Sequence, residues 1–157
     1  MTGHNPTDRS KLGSKRHILT DKYGIPLSVI ITSANTHDVT TVAIDTVDSM
    51  VLKRSSSQLN DRKKQNLCLD KAYHSKEVEQ EIFNRGYIPH IRHRREEKLF
   101  HRTHPAARRW VVERTNSWHN RFRKLFTRYE KKDENYLGLV QLANSLIVYR
   151  RIILGRL

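Results

Sequence analysis

Two carboxylates stand where carboxylates do chemistry. Asp70 ends the short apolar run Leu67-Cys68-Leu69. A carboxylate at the carboxyl end of a buried strand lies at the crevice where α/β proteins place ligands. Glu113 is the single acid in RRWVVERTNSWHNRF (108–122), a stretch with four arginines that reads as an amphipathic helix. At roughly 100° per residue, Val111, Trp118, Phe122 and Leu125 share one apolar face. Glu113 lies opposite them, in a polar stripe with Arg109, Ser117 and Asn120. Two acids facing a basic surface are what two-metal phosphoryl transfer requires: carboxylates hold the metals, the metals neutralise the attacking and leaving oxygens, and cations hold the nucleic-acid backbone. Plainer roles exist for both. Asp70 also suits a turn cap, and Glu113 an ion pair with Arg109 one helical turn earlier. Position alone does not choose between them.

The composition favours an anionic partner. The 157 residues carry 30 Lys and Arg against 16 Asp and Glu, a net charge of +14, and an excess of this size points to DNA or RNA. A merely basic, soluble protein is the alternative. The length fits one domain, 1–157. Cys68 is the only cysteine, which excludes an intramolecular disulfide, and its apolar neighbours predict a buried small side chain. The N-terminus has no apolar core and does not read as a secretory signal. The apolar-rich segment 136–149 is too short to span a bilayer. These features predict a cytoplasmic, nucleoid-associated protein that engages no membrane.

The elements that must position the two acids follow from periodicity. Residues 1–15 read as a polar, extended lead-in. RHILTD (16–21) and IPLSVIIT (25–32) flank Lys22-Tyr23-Gly24 and predict a hairpin, the second strand covered on both faces. Asp38 stands at a cap position before a helix over VTTVAIDTVDSMVLK, and 54–65 reads as a polar loop. NLCLD (66–70) is a short strand. Ser75 caps a helix that Gly86 stops, and YIPHI follows as a strand weakened by Pro89. The charge-dense 92–102 reads as a loop. Pro105 opens a helix running past Glu113 to about Phe126, and a last amphipathic helix starts near Asp133, so C-terminal helices occupy about 105–154. The order β-β-α-β-α-β-α-α predicts a mixed α/β fold, a single layer of sheet with helices packed on it.

GSKRHILTD, ANTHD, LCLDKAYHS and RRWVVERTNSWHNRFRKLFTRYEKK resemble, in this order, the DDE transposases of bacterial insertion sequences, the IS-five-like group. The resemblance covers nearly the whole chain, with ANTHD and RWVVERTNSW its most specific parts. It implies an RNase H-like mixed sheet, catalysis with two divalent metals (Mg²⁺ or Mn²⁺), strand hydrolysis and then joining of the freed 3′-hydroxyl to target DNA. It makes Asp70 the second catalytic acid and Glu113 the third, both metal-holding, and it matches Arg109 to the family's arginine four residues before the glutamate. Three departures accompany it. The family's first catalytic aspartate lies on a strand before the GSKRH element, and this chain is expected to begin after that strand. Ala72 replaces the usual glycine beside Asp70, and Ala106 and Asn120 stand where a looser signature has tyrosine and lysine. Asp8 precedes any strand, Asp21 sits at the hairpin turn and Asp38 reads as a cap, so none is expected to replace the missing acid.

Around the acids, Arg92, Arg94, Arg95, Arg102, Arg109, Arg114 and Arg121 are candidate phosphate contacts, with a solvated charge run as the alternative for the first four. Trp110 flanks the polar stripe and is a candidate for stacking on a base; Trp118, on the apolar face, reads as core. Nine histidines include His90-x2-His93 and His101-x2-His104, but without cysteine partners or HExxH spacing they do not read as a zinc site. Two function classes emerge. One is the C-terminal catalytic part of a transposase, inactive alone and completed by an upstream segment, with DNA and a homo-oligomer as further partners. The other is a non-catalytic DNA-binding remnant of a truncated transposase.

Overall fold

The computed structural model describes residues 2–5, 9–36, 40–52, 65–70, 73–91 and 110–155. Its centre is the expected hairpin. Strand β2 (Leu12–Thr20) pairs antiparallel with β3 (Pro26–Ser33), from Ser14 opposite Ser33 to Thr20 opposite Pro26, with an irregularity between Leu19 and Thr20. The Asp21 carboxylate accepts from the backbone N–H of both Tyr23 and Ile25 at 2.8 Å, and Gly24 takes a φ of +84°, a conformation that costs other residues a clash at Cβ. Asp21 is thereby a turn builder. A two-residue strand β1 (Gly3–His4) pairs with Leu12 and Gly13, so part of the lead-in joins the sheet.

Helix α1 (Thr40–Asp48) is shorter than the apolar spacing over 39–53 predicted; the Asp38 cap lies outside the described residues. Strand β4 (Gln65–Leu69) is followed by α2 (Lys76–Asn84). Ser75 Oγ accepts from Val78 N–H at 3.2 Å as its N-cap, and Gly86 ends it at a φ of +81°. Strand β5 (Tyr87–Ile91) then lies parallel to β4 in register, Leu67 against Pro89 and Cys68 against His90. Where one sheet was expected, the described strands form two ladders, β1-β2-β3 and β4-β5, with no pairing between them.

The helix expected over 105–126 is divided. Helix α3 (Trp110–Asn120) ends in tightened bonds from Arg121 N–H to Trp118 O and Phe122 N–H to His119 O, and α4 (Arg123–Phe126) restarts one short turn. The break turns Leu125 into the core. Helix α5 (Asp133–Val148) begins where expected and continues as a π-helical turn, Tyr149–Ile153.

Side chains alternate across β2, and each face supports a different core. Ile18 packs with Val29, Leu125, Tyr136 and Val140, joining the hairpin to α4 and α5. Leu19, on the other face, packs with Val47, Leu67, Val78, Ile82 and Ile91, joining the hairpin to α1, α2, β4 and β5. The molecule is a mixed α/β fold organised around one strand.

Candidate active site on the shared strand

Asp70 follows β4 directly and is exposed. Its backbone carbonyl accepts from Tyr73 N–H at 3.0 Å, so the chain turns at once. That bond closes the turn, and the residue itself lies on the solvent side of the strand. The alternation is the cause: Leu67 and Leu69 face the core, and Cys68 and Asp70 face away. Cys68 is accordingly exposed, against the expectation of a buried thiol, with its sulfur 3.4 Å from His90 Nδ1 across the ladder. The apolar run was two core residues flanking one outward position. The Tyr73 hydroxyl lies 3.5 Å from His17 Nδ1, and His17 Nε2 lies 2.8 Å from Thr32 Oγ1, so the turn after Asp70 abuts the odd-numbered face of β2.

Glu113 is held from the even-numbered face. The inner side of α3 consists of Val111, Thr115, Trp118 and His119, all buried. The Thr115 hydroxyl donates to Gly24 O at 2.6 Å and has Val111 O at 3.2 Å, fastening the helix to the hairpin turn. Arg16, two residues before Ile18 on the same face, donates to Asn120 Oδ1 at 3.0 Å and to Leu125 O at 3.5 Å. His119 Nε2 lies 2.6 Å from Asn144 Oδ1, which ties α3 to α5. With the amide oxygen accepting, the ring N–H sits on Nε2, and Nδ1 is buried without a hydrogen-bond partner among the described residues. Burial, more than any neighbouring charge, lowers the His119 pKa from the usual histidine range, and Arg16 adds to that lowering.

Fixing that inner side leaves Trp110, Glu113, Ser117 and Asn120 exposed along the outer one. Glu113 has no hydrogen-bond or ion-pair partner among the described residues. The Arg114 guanidinium stacks 4.2 Å from the Trp110 ring centroid and 5.8 Å from that of Trp118. Trp110 is half exposed, Trp118 is core as its position predicted, and Arg121 is exposed. Arg92, Arg94, Arg95, Arg102 and Arg109 lie outside the described residues, as do Ala72 and Ala106. Thr115, His119 and Arg16 were missed by sequence reasoning. The available signal was Thr115 and His119 standing among apolar positions of the helix, where polar side chains need a specific partner.

The chain matches the model of a known family, the transposase DDE domain, over residues 2–148. It belongs to the DDE transposase domain family. Among its relatives is a putative transposase for insertion sequence element IS402 from Burkholderia cepacia, 35% identical over 151 residues, which span 96% of this chain and 70% of that protein. No solved structure matches the chain. Membership of the DDE family carries a general dependence on divalent metal. Among the described residues, no helix is long and apolar enough to cross a membrane.

Proposed function

We propose that this chain supplies the second and third metal-holding acids, Asp70 and Glu113, of an RNase H-like transposase that cleaves and joins DNA in the nucleoid during insertion-sequence transposition. The observation that carries the reading is Glu113 itself: an exposed carboxylate without a partner among the described residues, on a helix locked in rotation by Thr115 and Arg16. A surface acid kept only for stability needs no fixed direction; one kept for a metal is held in place. The donors suit Mg²⁺ or Mn²⁺, hard cations that take carboxylate oxygens. Two such ions, when bound, stabilise the attacking and leaving oxygens of an in-line displacement at phosphorus.

The other residues have separable roles. Asp70 and Glu113 approach from opposite faces of β2. Arg114 and Arg121, with Arg92, Arg94, Arg95, Arg102 and Arg109, hold phosphates, and Trp110, with Arg114 stacked on it, offers an aromatic face to a base.

The reading also places the first acid outside this chain's described strands. Among the described residues, positions 14–20 of β2 pair with β3 on one side only, and β4 pairs only with β5. One further strand between β2 and β4 would join the two ladders into one mixed sheet, as an RNase H-like fold requires, and bring its own carboxylate between Asp70 and Glu113. In that reading residues 1–157 are catalytically incomplete. The test is to fuse the upstream segment in frame and assay metal-dependent cleavage of end-containing DNA. The fusion is expected to cleave and the chain alone to be inert. Robust cleavage by residues 1–157 alone overturns the proposal and directs the search to Asp8, Asp21 or Asp38.

A further inference from the structure

The segment RFRKLFTRYEKK (121–132) carries six Lys or Arg against one acid, Glu130, with aromatic rings set between them. Phe122 packs against the core, but Phe126 and Tyr129 do not. At 71% and 76% exposed, they are the most exposed aromatic side chains among the described residues. The loop between α4 and α5 is nevertheless firmly built. Arg128, whose side chain is only 12% exposed, holds it from within. Its Nε donates to Glu130 O at 2.8 Å, and Nη2 donates to Lys131 O at 3.3 Å and to the Asp133 carboxylate at 2.6 Å. Its Nη1 reaches back to Ser14 Oγ on β2, and the guanidinium lies 5.0 Å from the centroid of the Tyr136 ring. The Tyr136 hydroxyl donates to Leu125 O at 3.2 Å, one residue before Phe126. One largely buried cation thus satisfies two loop carbonyls, and Phe126, Tyr129, Lys131 and Lys132 on either side of it are exposed. We infer that residues 121–132 are a platform for an unpaired DNA strand, with Phe126 and Tyr129 stacking on bases and Arg123, Lys124, Lys131 and Lys132 holding phosphates.

Charge and ring exposure together select that occupant. An apolar protein surface would cover the rings but strip water from the four cations around them, a costly desolvation. Duplex DNA would satisfy the cations, yet its bases are stacked on one another and offer a ring no open face. A single strand offers both a charge at each nucleotide and base faces free to stack, and each stacked base tightens binding by about tenfold or more. Place matters as well. Arg128 meets β2 at Ser14, whereas the joint that holds α3 beside Glu113 is at Gly24, beyond the other end of the strand. From Ser14 to Thr20 the strand runs about 20 Å at ~3.3 Å per residue. That is the reach of roughly six nucleotides at ~3.4 Å each. The platform therefore stands apart from the two acids, and changing it leaves them in place.

The inference deepens the proposed function, since it rests on DNA as the substrate, but it needs neither Asp70 nor Glu113. Its test is therefore binding without cleavage. Fluorescence anisotropy at low salt compares the chain with the double variant Phe126→Leu/Tyr129→Leu on three labelled probes: an oligothymidine of about eight nucleotides, an abasic strand of equal length, and a hairpin duplex. Leucine keeps apolar bulk but has no ring face, and both side chains are exposed, so the variant is expected to keep the wild-type circular dichroism and thermal midpoint. The expected result is oligothymidine binding weakened at least about tenfold, with abasic and duplex binding unchanged. Lys131→Glu/Lys132→Glu is expected to weaken all three and to flatten their salt dependence. Oligothymidine binding that survives the loss of both rings overturns the proposal. So does an equal loss on all three probes, which would make the rings supports of the loop and not readers of bases. A wild-type chain that binds none of the probes overturns this inference together with the DNA reading of the function. An inert upstream-fused protein whose ring-dependent oligothymidine binding is intact would instead fail the catalytic reading and leave the platform standing.

Discussion

Replacing Thr115 by valine removes one oxygen and tests how Glu113 is aimed. The side chain is fully buried, and its hydroxyl donates at 2.6 Å to the carbonyl of Gly24, which is itself buried. Valine has nearly the same shape but no donor, so the Gly24 carbonyl loses the partner that the hydroxyl provides. A buried acceptor stripped of its donor costs about 1–3 kcal/mol. The added methyl contributes up to roughly 0.8 kcal/mol in return. The net loss is therefore about 1–2 kcal/mol, which for a chain of this size lowers the thermal midpoint by roughly 3–6 °C. The assay is thermal unfolding by far-ultraviolet circular dichroism and by tryptophan fluorescence. The fluorescence is informative because both tryptophans of the chain, Trp110 and Trp118, lie on α3. Gly24→Ala attacks the same joint from the other side: φ is +84°, and an added Cβ would come within 3.2 Å of Thr115 Oγ1 and 3.3 Å of Val111 O. The two substitutions are expected to be non-additive, as for residues sharing one contact. A Thr115→Val midpoint within 1 °C of wild type would refute the reasoning, since α3 would then be held by the packing of Val111 and Trp118 alone.

Further outcomes are expected from other parts of the molecule. In the upstream-fused protein, Glu113→Gln should abolish metal-dependent strand cleavage and leave DNA affinity and thermal midpoint unchanged; cleavage at the wild-type rate would remove Glu113 from the catalytic set. His119 is held neutral by burial, so the unfolded chain binds the extra proton more readily than the folded one. Its stabilising share is complete above the ordinary histidine pKa of about 6.5 and declines as pH falls below it. Urea titrations from pH 7.5 to 5 should show this slope, and His119→Gln should flatten it; an equal slope in both proteins would assign the acid sensitivity to other groups. DNA binding by the chain should be electrostatic: if about six phosphates are neutralised, log K falls with log salt at a slope near −5. Salt-insensitive binding would count against the basic faces as a DNA surface.

What the sequence made legible was local. Two β-rich runs around the glycine-containing turn at 22–24 specify a hairpin, and the Ser75 cap with Gly86 brackets α2, because side chain and backbone meet within a few positions. What it hid was tertiary. No glycine or proline marks the break after Asn120. The break is set by where the chain can bury Leu125 among Val29, Tyr136 and Val140, and by Arg16, which reaches both Asn120 and Leu125 from a strand far back in the sequence. The thiol was misplaced for a related reason. Leu-Cys-Leu reads as a continuous apolar stretch until the pleat assigns its middle residue to the other face.

That pleat also answers why a single carboxylate persists on an arginine-rich helix. Asp70 shares the outward face of β4 with Cys68, so the strand cannot bury it without exposing Leu67 and Leu69. Glu113 shares the outward face of α3 with Trp110 and Ser117, so the helix cannot turn it inward without withdrawing Thr115 from Gly24. Each acid is thus committed to solvent by the burial of its neighbours, at a cost of two leucines in one case and a buried hydrogen bond in the other. Both commitments are anchored on β2, through Leu19 and His17 on one face and Arg16 on the other. An ion pair with an adjacent arginine needs none of this, since a flexible surface side chain finds its partner from any rotation of the helix. The metal of the proposed function does need it: its carboxylates, from distant parts of the chain, must arrive with fixed directions, and a rigid strand touched from both faces would supply them.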